Sequence, residues 1–272
     1  MDLGKFISNA SSAVSRVVQY TEEKLFNVEK TAYDARTEYL MHQTDLCQIL
    51  TEKIVKSIES FIQPNPAYRL ESMVYEKLDG KRIVHISPAS IVGDTMISVS
   101  QDLKANPNQI EPQSNYSVAL QLSGESHNKI GLAHQELMNK TRTKFIEPLQ
   151  SYLEQVKNVQ KERKELEGKR LDLDAIKTKL KRVVTEEAKR SEAKEVAMLP
   201  PEKLLSDTDR DLKSMQMEFE QQLEVTNLLM ENVVASLGYH TRLLCDFVDC
   251  EAEYYEHCHE EITKLQESLK KF

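Results

Sequence analysis

The apolar positions of this chain recur at three- and four-residue spacing over most of its length. Leu25, Val28, Ala32, Ala35, Tyr39, Leu46, Ile49, Ile58 and Ile62 predict a long helix from about Tyr20 to Ile62. Pro64-Asn65-Pro66 ends it, because a proline disfavours helix in the residue before it. An irregular region follows to about Pro112, with short helical pieces near 67–78 and 89–103. A second long helix is predicted from about Tyr116 into the 190s, on Leu122, Ile130, Ala133, Leu137, Phe145, Leu149, Tyr152, Val156, Val159, Leu166, Leu173, Leu180 and Val184. Pro148 lies inside that pattern, lacks a backbone donor and crowds the preceding turn, so a kink is expected there. Pro200-Pro201 closes the second helix and opens a third, which keeps the three-four spacing from Leu212 to Leu269. The expected fold class is all-α: an elongated, kinked, antiparallel three-helix coiled coil. Apolar residues along nearly the whole length of these helices point to a second copy that covers them.

The first 18 residues read differently. Leu3, Phe6, Ile7, Ala10, Val14, Val17 and Val18 line one side of a short helix, and serines fill much of the other. Only Lys5 and Arg16 oppose Asp2, so apolar insertion into a lipid surface would outweigh attraction to anionic headgroups. A core helix packed on the bundle would show the same stripe. A second amphipathic piece carries Leu70, Met73, Val74 and Leu78 on one stripe, with Lys77, Lys81 and Arg82 nearby. It reads either as a loop helix capping the bundle or as a membrane wedge.

Composition supports long helices. The chain has seven glycines and eight prolines in 272 residues, and between Lys203 and Phe272 the only helix breaker is Gly238. No stretch approaches the roughly 18 apolar residues that span a bilayer, and the N-terminus does not read as a secretory signal. Four cysteines without CxxC spacing suit reduced thiols in the cytoplasm.

Net charge is −8, but its distribution matters more than its sum. Residues 201–272 hold seven Lys/Arg against sixteen Asp/Glu, while residues 141–198 hold fifteen against eleven. Lys177, Lys179, Lys181 and Arg182 form an acid-free run, followed by Lys189 and Arg190. With Lys169 and Arg170 they are candidate lipid-headgroup contacts, each worth on the order of 1 kcal/mol at an anionic surface. A solvated helix face is the plainer account of such a run. Nucleic acid is not the expected partner, because the chain is acidic overall and no stacking aromatics interleave the basic residues.

Catalytic and metal chemistry find little support. No Gly-rich phosphate loop, GxSxG or HExxH motif is present. Cys245, Cys250, His257, Cys258 and His259 diverge around a continuous helix and cannot converge on one ion. The chain is expected to be no enzyme and to need no cofactor.

Several ordered strings sharpen the reading. They are Val18-Gln19-Tyr20-Thr21-Glu22-Glu23-Lys24-Leu25, Gln63-Pro64-Asn65-Pro66, Val74-Tyr75-Glu76-Lys77-Leu78-Asp79, Phe145-Ile146-Glu147-Pro148-Leu149 and Lys169-Arg170-Leu171-Asp172-Leu173-Asp174. In this order the chain resembles the N-BAR domain of endophilins, the B-type more than the A-type. The resemblance implies a crescent-shaped dimeric six-helix bundle (BAR domain) spanning 20–272, with an insert at about 63–88 interrupting helix one and an amphipathic helix at 1–19. It implies a curvature-sensing, -stabilising or -generating homodimer, or a heterodimer with a related chain, on anionic or packing-defect-rich curved lipid. The B-type likeness implies Golgi, endosomal, autophagic or mitochondrial outer membranes. Proline-rich partners are implied only if a C-terminal Src-homology-3 domain, usual in the family, follows Phe272. The alternative is a coiled-coil interaction scaffold without direct membrane remodelling.

Overall fold

The computed structural model describes residues 16–20, 30–79, 85–105, 115–193 and 201–272, and among these it is helical with no strand. The helices are α1 (Ala35–Ile62), α2 (Pro66–Asp79), α3 (Pro88–Ala105), α4 (Asn115–Thr141), α5 (Glu147–Ala193), α6 (Pro201–Ala235) and α7 (Leu237–Leu269). A single π-helical turn, Arg142–Ile146, joins α4 to α5.

The helix ends have local causes. Residues 30–34 are not helical, so α1 begins at Ala35 rather than near Tyr20. Asp34 sets this start. Its carboxylate accepts the Thr37 N–H at 2.6 Å, and its carbonyl accepts the Glu38 N–H. These backbone and side-chain bonds from Thr37 hold the Asp34 carboxyl below its ordinary pKa. Asn65 caps α2 in the same way, accepting the Ala67 N–H at 3.0 Å, and Ser87 caps α3 through the Ser90 N–H at 3.1 Å. Asn65 and Ser87 are each followed by a proline at the first helical position, where the missing N–H costs nothing.

The expected disturbance at Pro148 appears one turn earlier. Pro148 offers no N–H to the Lys144 carbonyl, and the Glu147 N–H bonds back to the Arg142 carbonyl, five residues away. The third helix is also interrupted. Ser236 separates α6 from α7, two residues before Gly238.

Packing divides the chain into two units: Met1–Gln48 with Glu154–Ala235, and Ile49–Leu153 with Ser236–Phe272. In the first, Leu166 and Leu173 of α5 meet Phe219 of α6, with Tyr33, Met41, Leu212, Met215 and Leu223 packed around them. In the second, Val55 and Ile62 of α1, Phe145 and Ile146 of the π turn, Leu149 of α5, and Leu243 and Phe247 of α7 form one cluster.

The second unit also holds a close helix pair of another kind. Helices α3 and α4 approach through Gly93, Ser100, Ser117, Gly124 and Gly131, all buried. A Cβ on Gly124 would lie 2.7 Å from the Gly93 carbonyl oxygen and 2.6 Å from Ile97. The Ser100 hydroxyl donates to the Ser117 carbonyl at 2.8 Å. Ser117, Gly124 and Gly131 recur at seven-residue spacing, so one narrow stripe of α4 admits its neighbour's backbone.

Candidate membrane interface

The second amphipathic segment is helix α2, and its two sides are set apart by their contacts. On one side Arg69 donates to the carbonyls of Gln63 at 2.6 Å and Pro64 at 3.1 Å. Tyr68 stacks on His85 with ring centroids 4.1 Å apart, and Ser72 lies 3.2 Å from the same imidazole. On the other side Leu70, Met73, Val74 and Leu78 are exposed, Leu78 at 78%. The predicted stripe is therefore an exposed apolar face among the described residues. A cleft next to α2 is lined by Glu59, Arg69, Met73, His85, Met138 and Arg142. Burial there pushes the Glu59 carboxyl up, against the pull of Arg142 and Arg69. The side chain of Lys77, together with Lys81 and Arg82, lies outside the described residues.

At the N-terminus, Leu3, Phe6, Ile7, Ala10 and Val14 also lie outside the described residues. Val17 and Val18 are on a helical turn and are exposed. Their neighbours are not: Gln19 is buried, and Arg16 forms a two-bond ion pair with Asp172 of α5.

The basic residues of α5 separate into two groups. Lys179, Lys181, Arg182 and Lys189 are exposed, as a headgroup-binding surface requires. Lys177 is half-exposed and donates to the Thr31 hydroxyl at 2.7 Å. The side chain of Arg190 is not among those described.

Arg170 corrects the sequence reading. It is fully buried, bonded to Asp174 at 2.7 Å and doubly to Glu167 at 2.9 and 2.7 Å. Its guanidinium organises the protein interior and cannot meet a lipid. Asp174 also accepts the Thr31 N–H, and Glu167 accepts the Tyr33 hydroxyl at 2.9 Å. Burial and the Glu167 contact push the Tyr33 phenol up. Burial opposes ionisation of Glu167, yet its bonds from Arg170 and Tyr33 leave its carboxyl below the ordinary value. Lys169 is partly committed as well, to Glu218 of α6. The signal that distinguishes Arg170 was present: it stands four residues before Asp174, which puts opposite charges on one helix face. Charge counting alone does not reveal that this face is buried.

Among the described residues no group of His, Cys, Asp and Glu could hold a metal ion, and no helix is long and apolar enough to cross a membrane.

The sequence model of the family described as BAR domain matches residues 10–271. The chain belongs to the BAR-domain family. It is 38% identical to endophilin-B1 of Mus musculus over 98% of its own length and 67% of that protein. It is 33% identical to endophilin-B2 of Gallus gallus, covering 98% of this chain and 68% of that one. The chain thus spans about two thirds of the length of these relatives. A crystal structure of a BAR protein from Galdieria sulphuraria aligns with 89% of the chain and all of its own, at a TM-score of 0.52 and 13% identity, a likeness of fold. The endophilin-B-like BAR assignment makes this a protein of membrane-curvature sensing or generation, and the scaffold alternative is not favoured.

Proposed function

We propose that this chain works as a homodimer, or as a heterodimer with a related chain, which lies peripherally on curved membrane and holds or generates that curvature with two apolar wedges per protomer. The wedges are the N-terminal segment at 1–19 and the insert at 63–88, with the BAR bundle running from 20 to 272. No catalytic step belongs to this reading. Lys179, Lys181, Arg182 and Lys189 supply attraction to anionic or packing-defect-rich lipid. The membranes proposed are the cytoplasmic faces of Golgi, endosome, autophagic structures or the mitochondrial outer membrane. Proline-rich partners belong to this reading only if a Src-homology-3 domain follows Phe272.

The observation that carries this reading is α2. A helix with its polar side held by Arg69, Tyr68 and Ser72, and Leu70, Val74 and Leu78 left exposed, has its apolar face free for another phase. Self-association has separate support on α7, where Leu244, Val248, Tyr255 and Ile262 remain exposed beside the buried Leu243, Phe247 and Cys250.

The test replaces Leu70 and Leu78 with glutamate. Full burial of a leucine is worth roughly 1.5–3 kcal/mol, and shallow interfacial burial less. The variant should keep the parent's helicity and sedimentation mass, while vesicle binding and tubulation fall. Parent-like tubulation would assign α2 to capping the bundle.

A further inference from the structure

The described turn at 16–20 meets the helical bundle through a built contact. Arg16 Nε donates to Asp172 Oδ1 at 2.9 Å, and Nη2 donates to Oδ2 at 2.6 Å. Such a forked pair fixes the guanidinium plane as well as its position, which a lysine could not do. Asp172 is largely shielded, with 16% of its side chain exposed, and Arg16 is partly shielded at 39%.

Gly168 explains how Arg16 reaches that place. It stands four residues before Asp172 and so on the same face of α5. A Cβ on Gly168 would lie 3.0 Å from Arg16 Nη1 and 3.2 Å from Cζ. The guanidinium lies across the bare glycine backbone. Glycine is a poor helix former, and it stands here far from either end of the 47-residue helix α5. The room it leaves is the room Arg16 occupies. Gln19, three residues after Arg16 on the same short helix, is 2% exposed, while Val17 at 66% and Val18 at 51% face away. The described turn thus has one side against α5 and the other exposed.

We propose that Arg16, Gly168 and Asp172 form an anchor that fixes where the N-terminal wedge leaves the bundle. Arg16 and Asp172 are positioning residues, and neither is a lipid contact. The proposal rests on the reading of residues 1–19 as a wedge. With the anchor closed, force from the inserted segment is delivered to α5 at a defined point. With it open, the wedge loses its fixed point on α5, so it can insert without shaping the membrane.

The chain contains no tryptophan, so a Phe6→Trp variant reports insertion with a single fluorophore. In that background Gly168→Leu blocks the guanidinium's seat and improves helix propensity, and parent-like circular dichroism checks that the fold is kept. Arg16→Asp breaks the pair, and Arg16→Asp with Asp172→Arg restores it in reverse. In the Phe6→Trp parent, emission should shift to the blue on anionic vesicles of small diameter. Gly168→Leu should keep that shift and the parent's pelleting. It should lose tubulation, and free in solution it should be cut by trypsin after Arg16 about fivefold faster, the change expected from losing a partly shielded pair. Arg16→Asp should lose tubulation, and the charge swap should regain it. Parent-like cleavage and tubulation in Gly168→Leu, or failure of the swap to regain tubulation, would overturn the anchor. If the Phe6→Trp parent shows no blue shift, the wedge reading itself fails, and the anchor's proposed role fails with it.

Discussion

Arg170 and Asp174 stand one turn apart on α5 and form a 2.7 Å salt bridge with 0% and 1% of their side chains exposed. A buried pair of this kind adds little over an apolar replacement, but breaking it strands a charge in the interior. Arg170→Ala is therefore expected to cost about 3–5 kcal/mol. Urea unfolding followed by circular dichroism measures this. A loss confined to vesicle binding, with stability unchanged, would return Arg170 to the membrane surface.

The exposed residues of the same helix should behave in the opposite way. Replacing Lys179, Lys181, Arg182 and Lys189 with glutamate should leave unfolding nearly unchanged and weaken binding to anionic vesicles. Each basic residue contributes on the order of 1 kcal/mol near such a surface. Screening makes the loss largest at low ionic strength. Co-sedimentation across a salt series checks this, and equal binding at every salt concentration would assign the run to solubility.

How far the sequence could be read depended on how local each signal was. The end of α1 at Ile62, the pieces at 66–79 and 88–105, and the start of α4 at Asn115 lie close to the predicted boundaries, because prolines mark the first three directly. The start of α1 was misplaced because the stripe through Leu25, Val28 and Ala32 runs across the Asp34 cap without a break in period. The interruption at Ser236 had only Gly238 beside it as a sign. The α3–α4 contact was invisible to an apolar search, since Gly93, Ser100, Gly124 and Gly131 pack by being small. Arg170 and the exposed Lys179 carry the same charge in sequence, and the local sign that separates them is Asp174, four residues after Arg170.

That small-residue contact can be tested against a glycine elsewhere. A methyl group at Gly124 would press on the Gly93 carbonyl, whereas one at Gly238 meets nothing within 4 Å. Gly124→Ala should destabilise despite its better helix propensity, because overpacking costs typically about 1–3 kcal/mol. Gly238→Ala should instead gain about 0.5–1 kcal/mol. Thermal unfolding of the two variants checks both signs at once, and equal shifts in one direction would discard the close approach.

Two histidines give the second unit a pH dependence. His134 Nδ1 and His240 Nε2 are buried without a hydrogen-bond partner, against Tyr254 and Tyr152 respectively. Burial lowers both pKa values below the ordinary 6.5. The unfolded chain therefore takes up protons first as pH falls. Stability should be complete above about pH 6.5 and decline as pH drops toward the folded-state values. His134→Phe with His240→Phe should flatten that decline in melting curves between about pH 7 and 5. An unchanged slope would place the titration elsewhere.

The central claim is that apolar wedging, added to adhesion, shapes the membrane. The most direct measurement is co-sedimentation of the chain and its Phe6→Glu, Val14→Glu variant with small and large vesicles, with electron microscopy of the pellets. The parent should bind small vesicles more strongly than large ones and draw tubules. The variant should keep its sedimentation mass, lose most of the preference for small vesicles and form few tubules, while the basic residues of α5 retain some adhesion. A parent that stays in the supernatant at every vesicle size, or a double variant that binds and tubulates like the parent, would contradict the account.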